Sequence, residues 1–146
     1  MVGLASLIHG ADSLPLLREI DAAAAAKGLV QALLLEINIA AEPSKSGFAP
    51  EEIPSALAFA AGLRNIRVRG LMAVPPICAD GEENRRYFII MKQLFIDNCD
   101  KKYDNVSMDF MSMGMSGDFE TAIECGANMV RVGTAIFGER VYPGRS

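Results

Sequence analysis

The chain has little of the residue types that announce chemistry. Among 146 residues there is one histidine, His9, and three cysteines, Cys78, Cys99 and Cys125. The cysteines are odd in number, isolated, and match no zinc spacing. Reduced thiols of a cytosolic protein are the expectation. His9 has no neighbour in sequence with which to form a nucleophile–base pair, so it reads as a surface or loop-packing residue. Lys and Arg form no cluster, and the formal net charge is −4. A nucleic-acid groove or an anionic membrane surface is therefore not expected as partner, although a local cationic site for a small anion is. No apolar run reaches membrane-spanning length. Leu29 to Ile39 comes nearest, and Gln31, Glu36 and Asn38 interrupt it. No basic segment precedes an apolar run at the N-terminus, so no secretion signal is read there.

What is present is a core. Half the residues are hydrophobic and 22% are charged, which fits one globular domain and excludes wholesale disorder. Val2 to Ile8 reads as a strand, with a loop from His9 to Ser13. Asp12 or Ser13 can cap the helix that follows, with Pro15 in its first turn; Leu14, Leu17, Ile20 and Ala24 share one face, and Gly28 ends it. Val30 to Ile39 is nearly all apolar, as strands covered on both faces are. A polar loop, Ala40 to Gly47, leads to a helix opened by Pro50-Glu51-Glu52. Strands are predicted over Val68–Val74, Val106–Met113 and Met129–Val132, with helices from about Glu82 to Asn98 and from Asp118 to Glu124. Strict β-α alternation argues for a parallel sheet with right-handed crossovers. It can be an open doubly wound sheet or a section of an eight-stranded β/α barrel. Length alone favours the open sheet, since a barrel takes ~250 residues. No GxGxxG follows the first strand, so a Rossmann dinucleotide site is not expected.

The stretch MVRVGTAIFG, Met129 to Gly138, combines a strand, a cation at Arg131, a glycine turn at Gly133 and a hydroxyl at Thr134. A cation among apolar neighbours needs an anionic or electron-rich partner. Gly133 permits a positive φ or close backbone approach. The preceding strand ends in Ser112-Met113-Gly114-Met115-Ser116-Gly117, just before a helix. Free N–H groups and the hydroxyls of Ser112, Ser116 and Thr134 suit a phosphate. The plainer alternative stays open: Ser116 caps its helix, Gly133 turns the chain, and Arg131 pairs with an acid such as Asp109. Lys45, in the loop after the second strand, either approaches an anion or is solvated, and Asn38 either meets a ligand or ties that loop down. Met108, Met111, Met113 and Met115 read as core filler and barrel lining.

The runs EINIAAEPSKSGF, VRGLMAVPP and FMSMGMSGDFETAIECGANMVRVGTAIFGER resemble the pyridoxal phosphate homeostasis protein family, in the same order and over nearly the whole chain. The resemblance implies a section of a pyridoxal 5′-phosphate (PLP)-binding (β/α)8 barrel like the alanine racemase N-terminal domain, forming one partial domain over residues 1–146. It implies a cytoplasmic protein that holds or carries PLP without catalysing turnover. By position, Ser112, Met115 and Ser116 face the cofactor phosphate after the family's seventh strand, and Gly133 and Thr134 meet it after the eighth. Arg131 matches the arginine near the pyridine nitrogen. The chain begins where the family's fourth strand lies, and none of Lys27, Lys45, Lys92, Lys101 or Lys102 matches the family's Schiff-base lysine. The expectation is a C-terminal fragment that binds PLP non-covalently at best and can self-associate through exposed barrel edges. Two alternatives remain: a racemase-like enzyme, for which Tyr87, Tyr103 and Tyr142 are poorly placed, and a self-associating fragment without ligand.

Overall fold

The computed structural model describes residues 1–78 and 80–138. Five parallel strands, β1 (Leu7–Ala11), β2 (Gln31–Ile37), β3 (Ile66–Ala73), β4 (Val106–Met115) and β5 (Met129–Arg131), lie in the order β1-β2-β3-β4-β5. Helices α1 (Leu14–Ala26), α2 (Ile53–Ala61), α3 (Arg85–Cys99) and α4 (Phe119–Glu124) connect them, and α5 (Thr134–Phe137) follows β5. Every strand pairs with its successor. A doubly wound sheet needs a point where strand order reverses, and there is none. The open sheet that length alone favours is thus replaced by a curled half-barrel.

Alternation explains the two faces of the sheet. Leu33, Leu35 and Ile37 of β2 pack with Leu17 and Ile20 of α1, Leu57 and Ala60 of α2, and Phe88 and Met91 of α3 in one buried cluster. Each leucine, isoleucine, phenylalanine or methionine among them contributes roughly 1.5–3 kcal/mol by burial. Leu34 and Glu36 alternate with them and face the inside of the curl. Leu34 is fully buried yet stands outside the helix-side cluster. Each strand pair carries a register shift, which bends the sheet as bulges do. One such shift is at Gly70, φ +143°, where a Cβ would lie 1.9 Å from the carbonyl oxygen of Phe110.

The first strand begins later than its apolar pattern predicts. Residues 2–4 form a turn, with Leu4 N–H donating to Met1 O at 3.0 Å. Buried Gln31 holds this segment: its Oε1 accepts from Gly3 N and its Nε2 donates to Ala5 O, both at 3.0 Å. The side chain thus takes backbone groups that a strand would have given to the ladder. Pairing starts at Leu7↔Ala32, which puts His9 and Ala11, predicted as loop, inside β1. Ser13 occupies the N-cap of α1 but makes no side-chain cap bond there, and Leu14 is 38% exposed rather than buried with Leu17.

Candidate functional site

The C-terminal ends of β3, β4 and β5 open onto a cleft of about 850 Å³, a size typical of small-molecule sites. Its walls are Val74 to Cys78 after β3, Met115 to Asp118 after β4, and Gly133, Thr134 and Phe137 after β5. Four residues predicted for a phosphate, Met115, Ser116, Gly133 and Thr134, thus meet in one cleft. Ser112 and Arg131 lie deeper, on the strands beneath it.

A buried asparagine braces two of the walls. Asn84 Nδ2 donates to Asp118 Oδ2 at 2.8 Å and to Pro76 O at 3.0 Å. Asp118 Oδ1 accepts from Met115 N at 2.6 Å. Gly114 is required here: at φ +93°, its Cβ would lie 2.6 Å from Ala122 Cβ. Asn84 has no signature in the sequence, because its partners are 8 and 34 residues away.

Ser116 does not cap its own helix. Its Oγ accepts from Gly133 N at 3.0 Å and from Ala135 N at 3.3 Å, joining the loop after β4 to the loop after β5. Gly133 itself has φ −118° and open space where a Cβ would sit, so neither a positive φ nor a close contact demands glycine there. Thr134 and Met115 are exposed at the cleft.

Arg131 is half-buried and does not pair with Asp109, which binds Arg69 and Ser107 instead. Arg131 Nη1 donates to Ser112 Oγ at 2.5 Å and to Ser112 O at 3.2 Å; Nη2 donates to Ala73 O at 2.9 Å. Its Nε has no partner among the described residues. Ser112 is fully buried, and its Oγ lies 3.4 Å from His9 Nδ1. The expectation of a surface or loop histidine is therefore overturned: His9 stands half-buried in β1, on the same side of the sheet as Ser112 and Arg131. Burial, and then the nearby Arg131, hold its pKa below the ordinary value. Burial, and then Asp12, raise the Glu36 carboxyl, while Arg131 opposes the rise. Arg131 in turn is lowered by burial, against Glu36 and Asp118.

Asn38 ties down its loop: Nδ2 donates to Glu42 O and Lys45 O, and Oδ1 accepts from Glu42 N. Lys45 Nζ lies 2.7 Å from Glu42 Oε1, a charge contact without hydrogen-bond alignment, and 3.5 Å from Val74 O at the cleft rim. No lysine lines the cleft among the described residues. Tyr87 and Tyr103 pack against the helix-side core, and Tyr142 lies outside the described residues. Met111 and Met113 are core.

The sequence pattern of the family "Alanine racemase, N-terminal domain" matches residues 4–141. A curated relative, the pyridoxal phosphate homeostasis protein of Aquifex aeolicus, is 41% identical over 97% of this chain and 61% of its own length. The chain thus spans about three-fifths of that relative. PipY of Synechococcus elongatus PCC7942 has been solved without PLP (TM-score 0.77, 28% identity) and with PLP bound (TM-score 0.73, 27% identity). Either structure is matched over 91% of this chain and 61% of PipY. Matched nearly end to end by that pattern, and similar in sequence and fold to these relatives, the chain belongs to the alanine racemase N-terminal domain family.

Proposed function

We propose that this chain holds pyridoxal 5′-phosphate by non-covalent contacts, as part of a PLP homeostasis protein, and does not turn over amino acids. The observation that carries this reading is the pairing of two different donor sets at one end of the sheet. Arg131, held by Ser112 and Ala73, keeps an Nε–H to offer. Ser116, Gly133 and Thr134 stand around the cleft next to it. The first set suits a pyridine nitrogen and the second a phosphate, so the residues fit the group. PLP supplies an aldehyde that carries amines and an electron-withdrawing ring. Arginine donates a hydrogen bond to the ring nitrogen but does not give up its proton, which leaves that withdrawal weak. Ser116 holds the two backbone N–H groups that a phosphate oxygen would take, and its hydroxyl proton is available to the same oxygen. No lysine or tyrosine among the described residues lines the cleft, which speaks against racemase-like proton transfer. We place the chain in the cytoplasm: Cys78, Cys99 and Cys125 are free thiols, and no helix among the described residues is long and apolar enough to cross a membrane.

The test is a spectroscopic titration of the chain with PLP, followed by borohydride and mass spectrometry. Saturable binding, weakened about tenfold or more in Arg131→Ala, with no stoichiometric pyridoxyl-lysine, is the expected result. A specific adduct on one lysine, or equal binding by Arg131→Ala, overturns it.

A further inference from the structure

His9 and Ser112 are 103 residues apart in sequence. The fold places them in one file with Arg131, across β1, β4 and β5. A guanidinium has donors only, so Ser112 Oγ accepts from Arg131 and keeps its own proton to give. The acceptor within reach among the described residues is His9 Nδ1. It accepts only when the ring is neutral with its proton on Nε2.

We propose, resting on the cofactor reading above, that His9 is a positioning residue for Arg131: neutral His9 accepts a hydrogen bond from the Ser112 hydroxyl, turns the Ser112 lone pair toward the guanidinium, and keeps the Arg131 Nε–H directed at the ring nitrogen of a bound pyridine. Three consequences follow from the charges around this file. His9 stays neutral at pH 7, because burial and Arg131 both oppose its protonation. Glu36 on β2 and Asp118 before α4 favour the charged guanidinium, and Asp12, after β1, acts on Glu36. Acidification below the ordinary histidine range adds a second cation beside Arg131 and turns Nδ1 from acceptor to donor. The hold on Arg131 is then lost, and with it affinity for the ring. The sign for stability is the same. A histidine with a lowered folded pKa contributes stability that is present above 6.5 and is lost as pH falls through the folded value.

Because His9 is the chain's sole histidine, its ring nitrogens can be read without assignment. The test begins with long-range proton–nitrogen NMR of the ligand-free chain. The Nε2–H tautomer, a pKa below 6.5, and a change in both on Ser112→Ala are expected. A ring with its proton on Nδ1, or one indifferent to Ser112→Ala, overturns the proposal whether or not PLP binds. The second part is PLP affinity from pH 5 to 8. Wild type is expected to weaken on acidification more steeply than His9→Asn, whose profile keeps only the titration of PLP's own phosphate. His9→Phe is expected to bind about tenfold less tightly at pH 7.5, and His9→Asn to restore affinity there, since its amide oxygen accepts at any pH. The same profile for wild type and His9→Asn, or failure of Asn to outperform Phe, also overturns it. If the wild-type chain binds no PLP at any pH, the cofactor reading falls, while the nitrogen spectra still decide whether His9, Ser112 and Arg131 form the file.

Discussion

Ser116 shows how much one hydroxyl can organise. Its Oγ is the acceptor for Gly133 N and Ala135 N, so the two loops that frame the cleft are joined through a single atom. Ser116→Ala leaves both donors to solvent. The expected loss is about 1 kcal/mol of stability, read by urea denaturation, together with faster amide exchange at Gly133 and Ala135. Unchanged exchange at both amides would count against this joint. The sequence made Ser116 visible as a polar group beside glycines, but not as a link between loops, because the partner loop begins 17 residues on. Arg131 was legible as a cation in need of a partner. That its partners are two carbonyls and a serine, rather than Asp109, follows from register: Arg131 lies opposite Met115, six residues along β4 from Asp109, which Arg69 holds instead. His9 was illegible for the same reason: nothing local marks it, and its meaning comes from residues on the far strands.

At the scale of elements, periodicity placed all five strands and four of the helices, since apolar runs and glycine stops are local. It misplaced the start of β1, because VGLASLI is as apolar as a strand while Gln31 withdraws its backbone groups into a turn. The curl was hidden from periodicity, though the family resemblance implied a section of a barrel and the strand order bears that out. It rests on bulges such as Gly70, where β3 and β4 approach so closely that any side chain meets the Phe110 carbonyl. Gly70→Ala forces that pair apart and places a Cβ on a positive-φ backbone. About 3 kcal/mol or more of destabilisation is expected, measured by thermal unfolding. A loss under about 1 kcal/mol would mean that the strand pair slides to relieve the clash.

For the whole molecule, the strand order settled what length could not, and it leaves β1 and β5 with unpaired outer edges in the described sheet. Unpaired edges invite pairing with another chain. The chain is expected to gain mass with concentration in sedimentation experiments. A single monomeric species from micromolar to near-millimolar concentration would rule this out.

The guanidinium of Arg131 has a further consequence. It sits on the shortest strand, β5, and bonds to Ser112 on β4 and Ala73 on β3, while Ser112 reaches His9 on β1. The contacts that would greet a ring therefore also stitch one rim of the curved sheet to the other. Truncating the Arg131 side chain would therefore loosen the arc of the sheet as well as the wall of the cleft.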